Sequence, residues 1–207
     1  LGDLSQYQIG WEFFRNDNWR FPIGSNPNYG LDLASSIIFT DSIPLFAFIF
    51  KLFKNFLPEH FQYFSTWILL SIYLQLLFSY LIIFKLTKNF YFSLIGMFFF
   101  ISAPIFLNRT SIHLSQVGQW IILFSFYIEL NNSKSKTLLR GLNLILSILI
   151  NFYFTMMLMI LNSLTYLFLL IKKKISYKNI IKEIVLIYPL LFITMYCTGY
   201  FMIRPED

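Results

Sequence analysis

Long apolar runs alternate with short polar gaps along the chain from residue 61 to its end. A helix needs about 20 apolar residues to cross the hydrocarbon core of a bilayer, and the runs are close to this length. The pattern therefore predicts an all-α membrane protein, a polytopic helical bundle of about six spans. The predicted spans are residues 61–84, 90–107, 114–130, 138–152, 154–171 and 180–203.

The fourth and fifth of these spans are short and almost continuous. At a rise of about 1.5 Å per residue, a single helix over residues 138–171 would be longer than a bilayer requires. The "NFYF" at Asn151–Phe154 is the expected place for a tight hairpin between two helices. A single, strongly tilted helix is the alternative.

The start of the chain, residues 1–60, is predicted to form an outer-face region, separate from a bundle of residues 61–207. In residues 3–15 apolar side chains recur at helical spacing, which predicts an amphipathic helix. The aromatic residues Trp11 and Trp19 are typical of a membrane interface. The "FPIGSNPNYG" that follows predicts an irregular, stiff loop. The apolar stripe of the helix comprises Leu4, Tyr7, Trp11 and Phe14.

The segment from Asp41 to His60 does not fit a span. Its apolar stretch covers residues 43–50, after which Lys51 intervenes and Pro58 closes the segment. We expect an interfacial helix that lies on the outer leaflet, with Lys51 and Lys54 snorkelling toward water.

Positive charge is unevenly distributed between the polar gaps. The chain carries 16 Lys and Arg, 10 Asp and Glu, and a formal net charge of +6. If the spans alternate, ten of the Lys and Arg fall on one side and six on the other, so the first side is expected to be cytoplasmic. Residues 1–60, the Arg109–His113 turn and the C-terminal tail then share the outer face. Basic inner loops explain the net charge without nucleic acid, and a single cysteine, Cys197, excludes an internal disulfide.

Asp3 is a candidate for acid–base chemistry. The chain begins with Leu1 and polar sequence, so we expect an earlier membrane helix to precede it. Asp3 would then lie at the membrane surface, where a carboxylate needs solvent, an ionic partner or a metal ion. An apolar boundary can also tune a carboxyl group for proton transfer.

A second polar element, "LNRTSIHLSQVGQW", follows the second predicted span. Arg109 and His113 are four residues apart, so they share one face if the turn is helical. Gln116 and Trp120 continue that face. An Arg beside a His at the outer mouth of a helix pair predicts a phosphate site, because a guanidinium matches phosphate geometry. A snorkelling Arg and a hydrated His are the alternative.

Asn143, Asn151 and Asn162 lie inside apolar runs, where hydrogen bonds between helices are their ordinary role.

Four segments together resemble a known superfamily. An acidic residue at the start of a long outer loop with an amphipathic helix resembles the GT-C membrane glycosyltransferases. More closely, "GDLSQYQIGWEFFR", "FPIGSNPNYG", "TDSIPLFAFIFK" and "RTSIHLSQVGQWIIL" are similar to an uncharacterised bacterial GT-C-like integral-membrane family. The resemblance covers essentially the whole chain. Members of that family are longer, so the chain is expected to be their N-terminal part without the first helix.

The resemblance implies roles for particular residues. Asp3 matches the outer-loop Asp that acts as general base or metal ligand, and Asp41 matches a second acidic position more loosely. Arg109 and His113 match the turn that faces a lipid-phosphate donor. The resemblance leaves the cofactor open between none and a divalent cation, for which Asp3 and Asp41 would be the candidate ligands. The candidate substrate-binding residues are Asp41, Arg109, His113, Gln116, Glu12 and Arg15.

The expected function is sugar transfer from a polyprenyl-phosphate donor to a glycan, lipid or protein acceptor, on the extracytoplasmic face of the bacterial inner membrane. A polytopic transporter or a lipid or glycolipid flippase is the alternative, since such proteins also carry acids and Arg in their cavities. The chain has no internal hydropathy repeat, and its polar groups cluster on one face, which argues against transport. A membrane O-acyltransferase that uses His113 is a third possibility, but it would leave the acidic residues unused.

Overall fold

The computed structural model describes residues 3–30, 35–131 and 135–202, without the side chains of Asp3 and Leu4. These residues are mostly helical. The α-helices are α1 (Asp3–Asn16), α2 (Pro44–Leu52), α3 (Phe64–Thr87), α4 (Phe90–Ile101), α5 (Pro104–Ile112), α6 (Trp120–Leu130), α7 (Lys136–Ile150), α8 (Phe152–Ile171) and α9 (Tyr177–Thr198). A short antiparallel pair joins β1 (Ser25–Asn26) and β2 (Ser35–Ser36), and 3-10 turns cover Ile37–Phe39, Lys54–Phe56 and Leu114–Gln119.

Contacts between the helices fix their directions. The Arg140 guanidinium lies 5.1 Å from the Tyr166 ring, and the Ser147 and Thr155 hydroxyls are 2.9 Å apart, so α7 and α8 are antiparallel. The chain reverses at Asn151, where the backbone is extended between the two helices. This reversal agrees with the predicted hairpin and excludes a single tilted helix.

Contacts between non-consecutive helices show that helix direction alternates along the chain. The Trp67 indole donates to the Leu114 carbonyl at 2.7 Å, and Phe78 stacks on Trp120, so α3 and α6 are parallel. Arg140 Nη1 donates to Glu183 Oε2 at 2.6 Å near the starts of α7 and α9. The Tyr200 hydroxyl donates to the Ile148 carbonyl at 2.9 Å near their ends, so the two helices are parallel. The turns therefore collect at two ends of the bundle. One end holds the lysine-rich turns, and the other holds α1, α2 and the Arg109–His113 segment.

Three of the described helices, α3, α8 and α9, are long and apolar enough to cross a membrane. The pair α4 and α5 is a fourth candidate, although it is bent by 46°. The bend falls at Pro104, which lacks a backbone N–H and disfavours helix at the residue before it. Since α6 and α7 are shorter, the count of six spans stays a prediction.

Helix α1 buries the predicted apolar stripe. Tyr7, Trp11 and Phe14 are almost fully buried, which confirms the amphipathic pattern for these three residues. The expected position of Trp11 at the membrane interface is wrong, because its indole is buried and donates to the Phe61 carbonyl at 2.9 Å. Trp19 stays 44% exposed. The core of α1 is thus continuous with the core of the bundle.

Arg15 ties α1 to the segment that follows α2. Its guanidinium is buried and donates to the carbonyl oxygens of Glu59 at 2.8 Å and of Leu57 at 3.0 Å. A buried guanidinium needs such partners to offset its lost hydration. Arg15 is therefore an anchor of the N-terminal region, not a ligand-binding group of the cavity described below.

The expected snorkelling of Lys51 is wrong. Its side chain is 1% exposed, and its ammonium lies 3.7 Å from the centre of the Phe14 ring and 4.7 Å from that of Trp19. The two rings come from α1 and the loop after it, which cover this face of α2 and leave no path to water. Burial lowers the pKa of Lys51 to about 8, although Asp17 opposes the shift. Lys54, in contrast, is only partly buried.

The buried Lys51 predicts an unusual pH dependence of stability. Between about pH 8 and pH 10.5 the unfolded chain holds a proton on Lys51 that the folded chain has lost, so stability rises with pH in this window. Relative to Lys51→Met, we expect the wild-type free energy of unfolding in detergent to rise by about 2–3 kcal/mol across it. Lys54→Met is the control and should follow the wild type. Parallel wild-type and Lys51→Met curves would contradict the account.

A cluster of charged residues joins four helices at the lysine-rich end. Arg140 binds both carboxylate oxygens of Glu129, at 2.7 and 2.9 Å, and one oxygen of Glu183 at 2.6 Å. The Tyr166 hydroxyl donates to the same Glu183 oxygen at 2.9 Å. Because α6, α7, α8 and α9 each supply one of these residues, the cluster fixes how the helices meet.

Candidate functional site

A tight turn at Thr40–Ile43 carries Asp41. Asp41 and Ile43 have left-handed backbone angles, with φ of 59° and 49°. Such angles are unfavourable for a β-branched residue and persist only where the surroundings impose them. Here Ser42 supplies that constraint, since its hydroxyl donates to the Tyr7 carbonyl at 2.8 Å and its carbonyl accepts from the Tyr63 hydroxyl.

The close approach of α1 to this turn requires a glycine. A Cβ atom at Gly10 would lie 2.6 Å from the Cβ atom of Thr40, closer than real side chains come. The Thr40 hydroxyl in turn donates to the Ile37 carbonyl at 2.7 Å. The turn is thus held from both sides, and the position of Asp41 follows from it.

One carboxylate oxygen of Asp41 is held by two donors. Oδ1 accepts a hydrogen bond from the Ser115 hydroxyl and another from Asn151 Nδ2 at 3.1 Å. Asn151 Nδ2 also donates to Ser115 Oγ at 2.7 Å. Three segments that are distant in sequence therefore meet at this carboxylate, namely the turn before α2, the 3-10 turn before α6 and the hairpin between α7 and α8.

A cavity of about 880 Å³ lies beside the carboxylate. Its polar wall comprises Asp41, His113, Gln116, Asn151 and Tyr200, and apolar residues such as Phe39 and Phe152 complete it. This volume is within the range of small-molecule sites in proteins, about 300–1,000 Å³. The cavity is therefore large enough for a small-molecule ligand.

Two tyrosines support this polar wall: Tyr200 lines it, and Tyr7 contacts His113 from behind. The Tyr7 hydroxyl lies 3.4 Å from His113 Nδ1 and donates to the Ile112 carbonyl at 2.8 Å, so α1 contacts the end of α5. Burial, together with the charge of Asp41, raises the pKa of Tyr200 well above its usual range. The Tyr200 hydroxyl therefore stays a neutral donor at physiological pH.

A second cavity of about 530 Å³ adjoins the first. Ile105, Ile122 and Met157 line it, and Arg109 is its charged residue. Gln116 and Tyr153 line both cavities, so the two spaces share a wall. We call the first the polar cavity, after the wall around Asp41, and the second the apolar cavity, after its residues from α5, α6 and α8, although Gln119 also lines it.

One protein family matches the whole chain, residues 1–207, and it is described as a domain of unknown function, DUF6311. The chain belongs to this family. Comparisons with curated proteins and with solved structures gave no match. The DUF6311 assignment covers the N-terminal region and the bundle together, as the continuous core does.

Several of the predicted site residues of this DUF6311 chain meet at the cavities. Asp41, His113 and Gln116 line the first cavity, and Arg109 lines the second. The His113 N–H donates to the Arg109 carbonyl at 3.2 Å, so the two residues share a helical turn. Helix α5 ends at His113, however, so the predicted face does not continue regularly to Gln116. Trp120, the last residue of the predicted face, packs on Phe78 instead.

Other predicted residues lie elsewhere. Glu12 accepts a hydrogen bond from Gln62 Nε2 at 3.1 Å and lines a separate recess with Asp17. The side chain of Asp3 lies outside the described residues. Its backbone begins α1, about one helical turn before Tyr7, which contacts His113.

A metal site stays a prediction for this DUF6311 chain. Within residues 3–30, 35–131 and 135–202, no group of three or more His, Cys, Asp and Glu side chains could hold a metal ion. Asp41 is a candidate ligand, but its Oδ1 already accepts two hydrogen bonds.

Ser115, Asn151 and Tyr200 were not identified as site residues from the sequence. Asn151 carried a signal, since an Asn between two apolar runs caps a helix, and here it caps α8 by accepting from the Tyr153 N–H at 2.9 Å. No local pattern distinguishes Ser115 or Tyr200 from other polar residues of the chain. Their role follows only from the tertiary contacts.

Proposed function

We propose that the chain forms the catalytic face of a membrane glycosyltransferase that uses a polyprenyl-phosphate sugar. One observation carries the proposal: a cavity with a fixed carboxylate shares a wall with a second cavity that holds an arginine beside apolar side chains. A lipid-phosphate sugar has the same order of groups, with a polar sugar, an anionic phosphate and an apolar chain.

The donor would lie across both cavities. Its prenyl chain fits the apolar cavity between α5 and α8, next to Ile105 and Met157. Arg109 would bind the phosphate, because a guanidinium offers paired donors to phosphate oxygens. The sugar would then occupy the polar cavity, where His113 and Gln116 supply further hydrogen bonds. Since Arg109 is only half-buried, its contribution to binding is smaller than that of a fully buried contact.

The reaction is a direct displacement. An acceptor hydroxyl attacks the anomeric carbon, a new C–O bond forms, and the bond between that carbon and the phosphate oxygen breaks. The hydroxyl proton passes to a carboxylate, and polyprenyl phosphate leaves with the bonding electrons, so the sugar carbon is inverted. Asp3 is proposed as the base, and Asp41 as the carboxylate that binds the acceptor hydroxyl.

The orientation of the chain is part of the proposal. The bundle end that carries Lys88, Lys136 and Lys172–Lys174 is proposed to be cytoplasmic by the positive-inside rule. The cavities lie at the opposite end, which would then face the extracytoplasmic side of the bacterial inner membrane. Transfer at that face needs a donor whose sugar is already outside the cell.

Reconstituted vesicles test the proposal. The full-length protein is incorporated into liposomes with radiolabelled polyprenyl-phosphate hexoses and pentoses, and a cell-envelope extract supplies acceptors. We expect label in a new glycosylated product only when the extract is on the side of the cavities. Movement of labelled lipid across the bilayer without any new product would instead support the flippase alternative.

A further inference from the structure

We propose that Asn151 is a positioning residue that acts through Asp41. It sets which carboxylate oxygen of Asp41 is offered to the acceptor, and the inference therefore rests on the proposed function. Nothing in the sequence pattern assigns this role to Asn151, which lies between two apolar helices. The proposal is carried by the hydrogen bonds at the hairpin and by the strained turn that holds Asp41.

Asn151 uses both ends of its side-chain amide. Its oxygen accepts from the Tyr153 N–H at 2.9 Å and so caps α8. Its nitrogen donates to Asp41 Oδ1 at 3.1 Å and to Ser115 Oγ at 2.7 Å. Because the cap fixes the direction of the amide, the nitrogen can point only toward the carboxylate. The orientation of Asp41 is thus coupled to the start of α8.

The backbone that carries this carboxylate is constrained as well. The left-handed backbone at Asp41 and Ile43 is imposed by buried hydrogen bonds around Ser42. With the backbone fixed, the Asp41 side chain can move mainly by rotation about its own single bonds. Its hydrogen bonds limit that rotation. Both donors bind Oδ1. Oδ2 is thereby left as the oxygen that can meet an acceptor hydroxyl in the polar cavity.

The hairpin also links the two cavities. Tyr153, whose N–H binds the Asn151 oxygen, lines both of them. A shift of Asn151 would therefore move a wall of the apolar cavity together with the carboxylate of the polar one. Asn151 would in this way keep the Asp41 carboxylate aligned with the bound sugar donor.

Substitution by aspartate separates the two roles of Asn151. Asn151→Asp keeps a good helix cap but removes the donor to Asp41 and brings a second negative charge close to it. We expect sugar transfer by the full-length protein to fall at least about tenfold. Asn89→Asp is the matched control, because Asn89 caps α4 by accepting from the Phe92 N–H at 3.1 Å at the other end of the bundle. This control should transfer sugar at the wild-type rate.

A double-mutant cycle tests whether Asn151 acts through Asp41. In an Asp41→Asn background, Asn151→Asp should cause little further loss of transfer, since the contact is already changed. Additive losses in transfer would overturn the positioning role. The exchange variant, with Asp41→Asn and Asn151→Asp together, should recover stability because an amide again faces a carboxylate, but it should not recover transfer.

If the protein transfers no sugar, the stability of the variants still tests the inference. The unfolding equilibrium of the same variants, measured in detergent, should show coupling between positions 41 and 151 of about threefold to twentyfold. Coupling with no transfer by the wild type would refute the glycosyltransferase proposal and its acceptor role for Asp41, while retaining the contact. Absence of coupling would overturn the contact itself.

Discussion

Asp3→Asn is expected to slow sugar transfer by the full-length protein at least about a hundredfold, without loss of folded protein. The substitution keeps the size of the side chain but removes its affinity for a proton. A general base typically contributes about 10²- to 10⁴-fold to a rate. The effect should appear in kcat, while the KM for the donor stays unchanged. Initial rates in vesicles, normalised to folded protein, measure it.

Asp41→Asn provides the comparison that separates the two carboxylates. If Asp41 binds the acceptor hydroxyl, its amide variant should raise the KM for the acceptor extract and lower kcat less than Asp3→Asn does. Glu59→Gln, an exposed acid of the same N-terminal region, should leave both constants unchanged. Near-normal turnover by Asp3→Asn, with a large loss of kcat for Asp41→Asn, would contradict the proposed division and make Asp41 the base.

Arg140→Met is expected to cause the largest loss of stability. The substitution leaves the Glu129 and Glu183 carboxylates, which are 23% and 15% exposed, without their main partner. Removal of one partner from a buried ion pair typically costs about 3–5 kcal/mol. Because the cluster joins the four helices α6, α7, α8 and α9, we expect a lower free energy of unfolding of the whole chain in detergent.

Lys136→Met is the matched control for this prediction. Lys136 lies 3.8 Å from Glu129, but its side chain is 26% exposed and it bridges fewer helices. Ion pairs of this kind contribute about 0–1 kcal/mol. A similar, small effect of both substitutions would mean that the cluster does not hold the four helices together.

Patterns along one element predicted the local structure well. The spacing of Tyr7, Trp11 and Phe14 predicts helix α1, and the "NFYF" with its Asn marks the reversal at Asn151. These features depend on neighbours in sequence. Hydrophobic periodicity and capping residues therefore carry enough information to locate them.

The partner of a helix face could not be predicted in the same way. Trp11 and Lys51 are both residue types that suit a membrane interface, yet both are buried by neighbouring elements. Their burial depends on how α1 covers α2 and on the chain around Phe61. A single sequence does not reveal which of two amphipathic surfaces faces lipid and which faces protein.

The site itself required tertiary structure. Asp41 and Ser115 are 74 residues apart, and Asp41 and Asn151 are 110 residues apart. The motif resemblance identified Asp41 and the Arg109–His113 turn, but it gave no reason to join Ser115 or Asn151 to them. Only the alternating helix directions bring the three segments to one end of the bundle.

The fate of the donor lipid tests the central claim most directly. Liposomes that contain the full-length protein, a labelled polyprenyl-phosphate sugar and the acceptor extract are analysed by mass spectrometry of both lipid and product. The account predicts that free polyprenyl phosphate appears in a one-to-one ratio with a new glycosidic product, and that Asp3→Asn suppresses both. Lipid-linked sugar that crosses the bilayer chemically unchanged, with no released polyprenyl phosphate, would contradict it.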